Sequence, residues 1–482
     1  MSMDNKNKQA ALSVIDRQAD LLCQVNDKIW DYAELSLREE KSAALYCDQL
    51  EKLGFTVERG LAGIDTAFRA SWGSGKPVIG ILAEYDALSG LSQKGGLLEH
   101  QPRQEGGCGH GCGHNVLGAG SMGAALAVKS YLESTGCSGT VEFYGCPGEE
   151  GGASKAFMAR DGVWNHLDAA ITWHPGDVNE VVTGSSNSCI QTQYTFHGVA
   201  AHAAAAPERG RSALDGVELM NIGVQFLREH MGSRCRVHYA ITDAGGCSPN
   251  VVQNQASVLY MVRSNKVAEA VELQKRVDDI AQGAALMTGT TFTKTFIDGL
   301  ADTVPNHTLE KVLYDNFAQL GVAQHTPEEL EFADRLAATC PQAPTPGIAA
   351  HHSPEMALQV EALQKEAGHA MNDFLIPLYQ GPAFEPGSTD VGDVSWLTPV
   401  GQIHTAAWPS GTPGHSWQIV SCGNTSLAHK AMLQAAKVMT GAIIDLYENP
   451  RLLAAARKEF EEATRSGYVC PIPAGAVPTI AE

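Results

Sequence analysis

Short apolar runs alternate with helix-like stretches through the first part of this chain, and its metal- and proton-handling side chains sit where those runs end. Val78-Ile79-Gly80-Ile81-Leu82-Ala83 has the length and composition of a buried strand. A Gly-rich loop over 90–113 follows, then a helix over about 116–132. Residues 140–144 read as the next strand, 154–160 as a short helix and 169–173 as a further strand. Strands alternating with helices imply an α/β sheet with helices packed on it. In such sheets ligands bind beyond the carboxyl ends of the strands. Glu84, Asp86, Glu149, Glu150 and His174 all fall just past a strand end.

The pattern changes near Ile190. A strand over 190–197 leads to a helix over about 211–230, whose Ala213, Val217, Met220, Val224 and Leu227 recur every three or four residues as one apolar face. Strands over 236–242 and 256–263, a helix over about 267–287 and a strand over 291–296 complete the order β-α-β-β-α-β, a ferredoxin-like module. A strand over 400–407 and a long helix over 427–447 then resume the α/β character, so the module reads as an insertion. At 482 residues the chain exceeds a single core. The expected division is 1–188 and 300–482 for a split α/β domain, with 189–299 inserted. Residues 16–53 read as helical, stopped by Gly54. Residues 321–386 are polar and Pro-rich and read either as an excursion or as a partly mobile stretch, and the 468–482 tail reads as irregular.

Three short segments carry the chemistry: G-H-G-C-G-H-N, P-G-E-E-G-G and T-W-H-P. Cys112 and His114 share one side of an extended turn whose glycines let the backbone approach an ion. Glu149 and Glu150 are neighbours on a turn and point different ways, so one can bind a metal while the other reaches a water. With His174 these residues supply a thiolate, imidazoles and carboxylates, a metallohydrolase set. Taken singly, each has a plainer reading: a buried thiol beside a capping His, a solvated turn, a strand-end His. A structural zinc knot of Cys108, His110, Cys112 and His114 is the rival metal site. Structural sites usually draw four ligands from two separated pairs. Here a single cluster stands with carboxylates downstream, which favours a catalytic site.

His415, in G-T-P-G-H-S-W, closes a late Gly/Pro loop. His202, in G-V-A-A-H-A-A-A-A-P, reads by itself as a surface-loop His. Asn250 and Arg263 flank the central strand of the inserted module, and Arg is the best fork for a substrate carboxylate. The Gly-rich stretch before His114 lacks both the G-K-[ST] ending and the strand-GxGxxG-helix order of nucleotide loops.

Lys and Arg number 34 against 54 Asp and Glu, a net charge of −20 that argues against nucleic acid and anionic membrane as partners. Residues 1–9 are polar with no apolar core of a signal peptide, and no run of about 18 apolar residues occurs. The twelve Cys are scattered, apart from Cys108 and Cys112, so reduced thiols and a cytoplasmic location are expected.

The ordered segments H-G-C-G-H-N, G-C-P-G-E-E-G-G, W-H-P, G-x-A-A-H-A-A-x-x-P, S-P-N-V-V-Q and G-T-P-x-H-S-W, with S-T-D-V-G-D-V-S-W over 388–396, resemble the M20 metallopeptidase family in its amidohydrolase branch. The resemblance spans nearly the whole chain. It implies that Cys112, His114, Glu150, His174 and His415 bind two divalent ions, Zn²⁺ or Mn²⁺, with Cys112 bridging and Asp86 supporting. It makes Glu149 the general base and gives His202 the stabilisation of the oxyanion in a neighbouring subunit. It assigns Asn250 and Arg263 to the substrate's carboxylate end and makes the inserted module a lid and dimer surface. Glu84 and Asn115 depart from the family pattern. The implied reaction is cleavage of an amide between an aromatic acyl group and glutamate, with p-aminobenzoyl-glutamate, a folate breakdown product, as substrate. The implied assembly is a homodimer or a heteromer with a related subunit. The alternatives are an N-acyl-amino-acid or dipeptide hydrolase of the same family, or a subunit that works only with a partner chain.

Overall fold

A computed structural model of the chain describes residues 6–341 and 344–479. The first part of the polar N-terminal stretch and the end of the tail lie outside the described residues. The chain divides into two compact units. The first is Met1–Ser185, Val304–Glu385 and Val394–Tyr468, and the second is Ser186–Thr303, Pro386–Asp393 and Val469–Glu482.

The first unit opens with α1 (Lys6–Arg17), α2 (Ala19–Tyr32) and α3 (Glu40–Lys52). The single helical stretch expected over 16–53 is therefore three helices. α1 gives way to α2 at Gln18, and the chain turns between α2 and α3 at Ala33 and Leu37, which take positive φ (44° and 62°) without being glycine, so composition does not announce that turn. Next come β1 (Thr56–Arg59), β2 (Phe68–Ser74), β3 (Val78–Ala83), α4 (His114–Thr135), β4 (Gly139–Gly145), α5 (Ser154–Arg160), β5 (Ala169–Gly176) and β6 (Glu180–Val181).

The second unit supplies β7 (Ser188–His197), α6 (Ala213–Arg228), β8 (Arg236–Asp243), β9 (Gln255–Ser264), α7 (Val267–Thr288) and β10 (Thr291–Leu300). Its sheet has the order β10-β7-β9-β8 and every pair is antiparallel. Tyr194, Phe196 and Val258 of the sheet pack with Val217, Met220 and Val224 of α6 and Val277 of α7. The β-α-β-β-α-β order matches the expected ferredoxin-like module.

The chain then returns to the first unit with α8 (His307–Leu320), α9 (Pro327–Ala337), α10 (Ile348–His352), α11 (Pro354–Ala367), β11 (Val400–Ala406), α12 (Trp417–Cys422), α13 (Ser426–Glu448) and α14 (Pro450–Ala463). The excursion expected over 321–386 thus contains three helices. Thr326 and Glu329 close a capping box on α9 with Pro327 in its first turn, and Ser353 caps α11 ahead of Pro354.

The large sheet has the order β1-β2-β4-β3-β5-β11-β6. Its middle strands β4, β3, β5 and β11 run parallel, so their carboxyl ends open on one edge. α4 is buried along most of its length. Its glycines allow this: a Cβ on Gly118 would lie 2.3 Å from the Tyr46 hydroxyl, and one on Gly120 would lie 2.6 Å from the Trp173 ring. Ile79, Ile81, Val141, Phe143, Ile171 and Ile403 of the sheet share one core with α4 and α13. Among the described residues no helix is long and apolar enough to cross a membrane.

Candidate metal centre

β3, β4 and β11 deliver chemistry past their carboxyl ends, and β5 delivers it within its last residues rather than just past the end. Glu84 and Asp86 follow β3 and are buried. Gly113, at φ +79°, turns the chain into α4, so Cys112 and His114 sit on either side of a glycine. A Cβ there would come within 2.8 Å of Pro175 and 3.0 Å of Trp408, so the backbone itself fills that corner. Glu149 and Glu150 lie in the turn after β4, and His174 is on β5. His415, at φ +53°, sits in the loop between β11 and α12.

These residues converge. Cys112 Sγ is 3.5 Å from His174 Nε2. His174 donates from Nδ1 to the Pro175 carbonyl at 2.7 Å, which leaves Nε2 as its lone-pair nitrogen. His114 donates from Nδ1 to Asp86 Oδ1 at 2.8 Å. Asp86 Oδ2 accepts from the Ser36 hydroxyl at 2.8 Å and from the Glu150 backbone N–H at 2.9 Å. One buried carboxylate therefore orients an imidazole and anchors the turn that carries both glutamates, the usual partner of a ligating His.

Three donor triads have all their ligand atoms within 4.8 Å of one another: Cys112–His114–His174, Cys112–Glu150–His415 and Glu84–His114–Glu149. The first two share the thiol, and the first and third share His114. His114 Nε2 and Glu150 Oε1 are buried without a hydrogen bond, although Glu84 Oε2 stands 3.3 Å from the former and His415 Nε2 3.1 Å from the latter. Buried polar atoms are normally satisfied. Ligand atoms that face each other without bonding fit a cation between them, so the residues suit a metal centre.

The protonation preferences of the metal-free protein follow from burial and close charges. Burial pushes the Cys112 thiol up to about 12. Burial and the neighbouring His114 bring His174 down to about 4, a neutral imidazole. Burial works against a charged His114, but Cys112 and the Asp86 carboxylate outweigh it and raise that histidine well above its ordinary value. Burial would raise Asp86, yet His114, the Glu150 N–H and Ser36 hold it far below the usual carboxylate range. The adjacent Glu150 carboxylate raises His415.

The rival zinc knot is not formed. His110 is buried with Nε2 3.0 Å from the Ile29 carbonyl, and neither it nor Cys108 joins a donor group among the described residues. Asn115 donates to Asn26 Oδ1 and the Gly423 carbonyl, each at 2.9 Å, tying the start of α4 to α2 and the loop after α12.

His202, Asn250 and Arg263 belong to the second unit. His202 is exposed, and its Nδ1 accepts from the N–H groups of Ala204 (3.2 Å) and Ala205 (3.1 Å), so a neutral ring carries its proton on Nε2. The Asn250 carbonyl accepts from the Ala203 N–H at 3.0 Å. Arg263 donates to the Ser388 hydroxyl at 3.1 Å, beside Asp298, whose carboxyl burial pushes up to about 6 against the pull of that Arg.

Residues 80–463 match Peptidase family M20/M25/M40. The chain belongs to this family. One of the subunits of p-aminobenzoyl-glutamate hydrolase from Escherichia coli (strain K12) is 45% identical over 460 residues, covering 94% of this chain and 95% of that protein. Xaa-Arg dipeptidase of Mus musculus is 27% identical over 471 residues, covering 94% and 92%. A solved structure of a dinuclear metal binding peptidase of the M20 family from Bacillus subtilis matches with a TM-score of 0.55 at 17% identity, over 90% of this chain and 99% of that one, a likeness of fold. The resemblance carried by the sequence motifs is thereby borne out, and the M20 chain is a metal-dependent amide hydrolase.

Three positions of this M20 site escaped sequence reading. Glu39 is fully buried and accepts from the N–H groups of Leu37 (2.9 Å) and Gly148 (2.8 Å) and from the Thr66 hydroxyl (3.2 Å). With Ser36 it braces the Glu149–Glu150 turn from the α2–α3 connection. Lys155 is wholly buried, its ammonium 2.7 Å from Glu84 Oε1. The signal for Lys155 was a basic residue in the first turn of a short apolar helix; the brace had none, because it lies inside a stretch with helical periodicity.

Proposed function

We propose that this chain hydrolyses the amide of p-aminobenzoyl-glutamate to p-aminobenzoate and glutamate, with two divalent cations, Zn²⁺ or Mn²⁺, held by Cys112, His114, Glu150, His174 and His415. The observation that carries the chemistry is the set of overlapping donor triads sharing Cys112 and His114. The substrate reading draws on the relative with 45% identity, whose name states that reaction. Thiol and imidazole donors suit Zn²⁺, and the carboxylates accept Mn²⁺ as well.

Bound cations would supply the positive charge that polarises the amide carbonyl and acidifies the attacking water. Glu149 takes the proton of that water and delivers it to the departing glutamate nitrogen. Asp86 keeps His114 in the tautomer whose Nε2 is free for ligation, and through the Glu150 N–H it holds the turn that carries the base. His202, with its proton on Nε2, donates to the developing oxyanion in a neighbouring subunit. Asn250 and Arg263 hold the glutamate carboxylate end, so the amide carbon meets the water in line. The module over 189–299 serves as lid and dimer surface. The protein works in the cytoplasm as a homodimer or with a related subunit, in keeping with the "subunit" of its relative's name.

The test is a panel of p-aminobenzoyl-glutamate, N-acyl amino acids and dipeptides, read as kcat/KM on the purified, Zn²⁺- or Mn²⁺-loaded chain, with and without a related partner subunit. The highest value is expected for p-aminobenzoyl-glutamate. A higher value for basic dipeptides would favour the activity named for the mouse relative. Turnover only with the partner would make this chain a dependent subunit.

A further inference from the structure

One imidazole at the sheet edge has no part in the chemistry above. His404, on β11, is the register partner of His174 on β5 and of Glu180 on β6. Register partners leave the sheet on the same face, so Glu180, His404 and His174 form one row across three strands. The His404 ring is edge-on to the ring of His174, centroids 6.2 Å apart. Its Nδ1 lies 3.0 Å from Glu180 Oε1. A carboxylate oxygen accepts, so Nδ1 carries the proton. Glu180 is itself buried, and its other oxygen accepts from the Ile348 N–H at 2.9 Å. The ring cannot turn without leaving that carboxylate. Nε2 makes no hydrogen bond among the described residues, and the side chain is 25% exposed. The result is a fixed, accessible hydrogen-bond acceptor beside a candidate metal ligand.

We propose that His404 is a specificity-determining residue for the acyl half of the substrate, its Nε2 accepting a hydrogen bond from an amino-bearing acyl group. This rests on the reaction proposed above, in which Asn250 and Arg263 take the glutamate half. An aromatic amine donates well and accepts poorly, because its lone pair is delocalised into the ring. It therefore matches an acceptor held ready by Glu180, and a benzoyl group without the amine leaves that acceptor unmet.

The experiment compares kcat/KM on p-aminobenzoyl-glutamate and benzoyl-glutamate for the metal-loaded wild type and for His404→Phe, with metal content measured on both. One hydrogen bond corresponds to a preference of up to about tenfold for the amino-bearing substrate in the wild type. His404→Phe should erase that preference while the benzoyl-glutamate value stays within about threefold of wild type. A parallel fall on both substrates, or an unchanged preference, overturns the proposal. A second measurement needs no variant: p-aminobenzoate should inhibit the wild type about tenfold more tightly than benzoate, and equal inhibition overturns the proposal as well. A wild type inactive on both substrates removes the proposed reaction and this assignment with it, whereas an active wild type with no amine preference removes the assignment alone.

Discussion

Glu149 and Cys112 belong to overlapping donor triads of one site yet answer to different measurements. Glu149→Ala should keep the metal content near wild type and lower kcat by about 10²–10⁴-fold, the usual worth of a positioned general base. Elemental analysis beside steady-state kinetics checks both, and full activity would remove Glu149 from the mechanism. Cys112 binds a cation only as thiolate, but burial holds its thiol near 12 without metal. Metal loading at neutral pH must displace that proton, and the raised His114 adds a second. Apparent affinity should therefore rise with pH, about tenfold per unit for each proton released. Calorimetry in buffers of differing ionisation enthalpy counts the protons, and zero release would take Cys112 out of the ligand set. Cys112→Ala should retain at most one ion. Cys112, His114, Glu149, Glu150 and His174 were legible in the sequence because ligand chemistry restricts residue type. Ser36, Glu39, Lys155 and His404 were not, since each acts through a partner far along the chain.

At the scale of elements, the connection between α2 and α3 is a brace rather than a linker. Leu37 packs so closely on the base turn that a Cβ on Gly148 would lie 2.9 Å from it, and Glu39 holds the Gly148 N–H from the same side. Burial and the Asp86 charge push Glu39 from 4.5 up to about 8. The folded chain keeps this proton over a range where the unfolded chain has released it. Its contribution is fully present below pH 4.5 and is lost as pH rises through about 8. Glu39→Gln can keep the bonds from the Leu37 and Gly148 N–H groups on Oε1, with Nε2 donating to the Thr66 hydroxyl instead of accepting from it, and has no proton to lose. Urea unfolding of the metal-free protein between pH 5 and 8 should show a flatter stability profile in the variant, the wild type losing up to about 1.4 kcal/mol per pH unit more. Parallel profiles would mean that Glu39 is ionised throughout. The four parallel strands of the sheet and the long helices α4 and α13 were readable from apolar runs and periodicity, β1, β2 and β6 were not read, and the brace was hidden because Ala33 and Leu37 turn the chain without a glycine.

At the scale of the whole molecule, the proposed role of His202 requires two chains. Glu149→Ala and His202→Ala homodimers should each be nearly inactive. Mixed dimers pair one intact base with one intact donor in one of their two sites and should recover up to about half the activity of a wild-type dimer, if each site borrows its histidine from the neighbour. Native mass spectrometry establishes that mixed dimers form, and no recovery in their presence assigns His202 elsewhere.

The four parallel strands, the β-α-β-β-α-β module and the kinds of ligand near the strand ends were determined by the sequence alone, because periodicity and donor chemistry are local properties. The pairing of Glu84 with Lys155, of Asp86 with both His114 and the Glu150 backbone, and of His404 with Glu180 was decided only by the folded sheet. Those contacts join residues tens to hundreds of positions apart, and only strand register and buried close approach bring them within bonding distance.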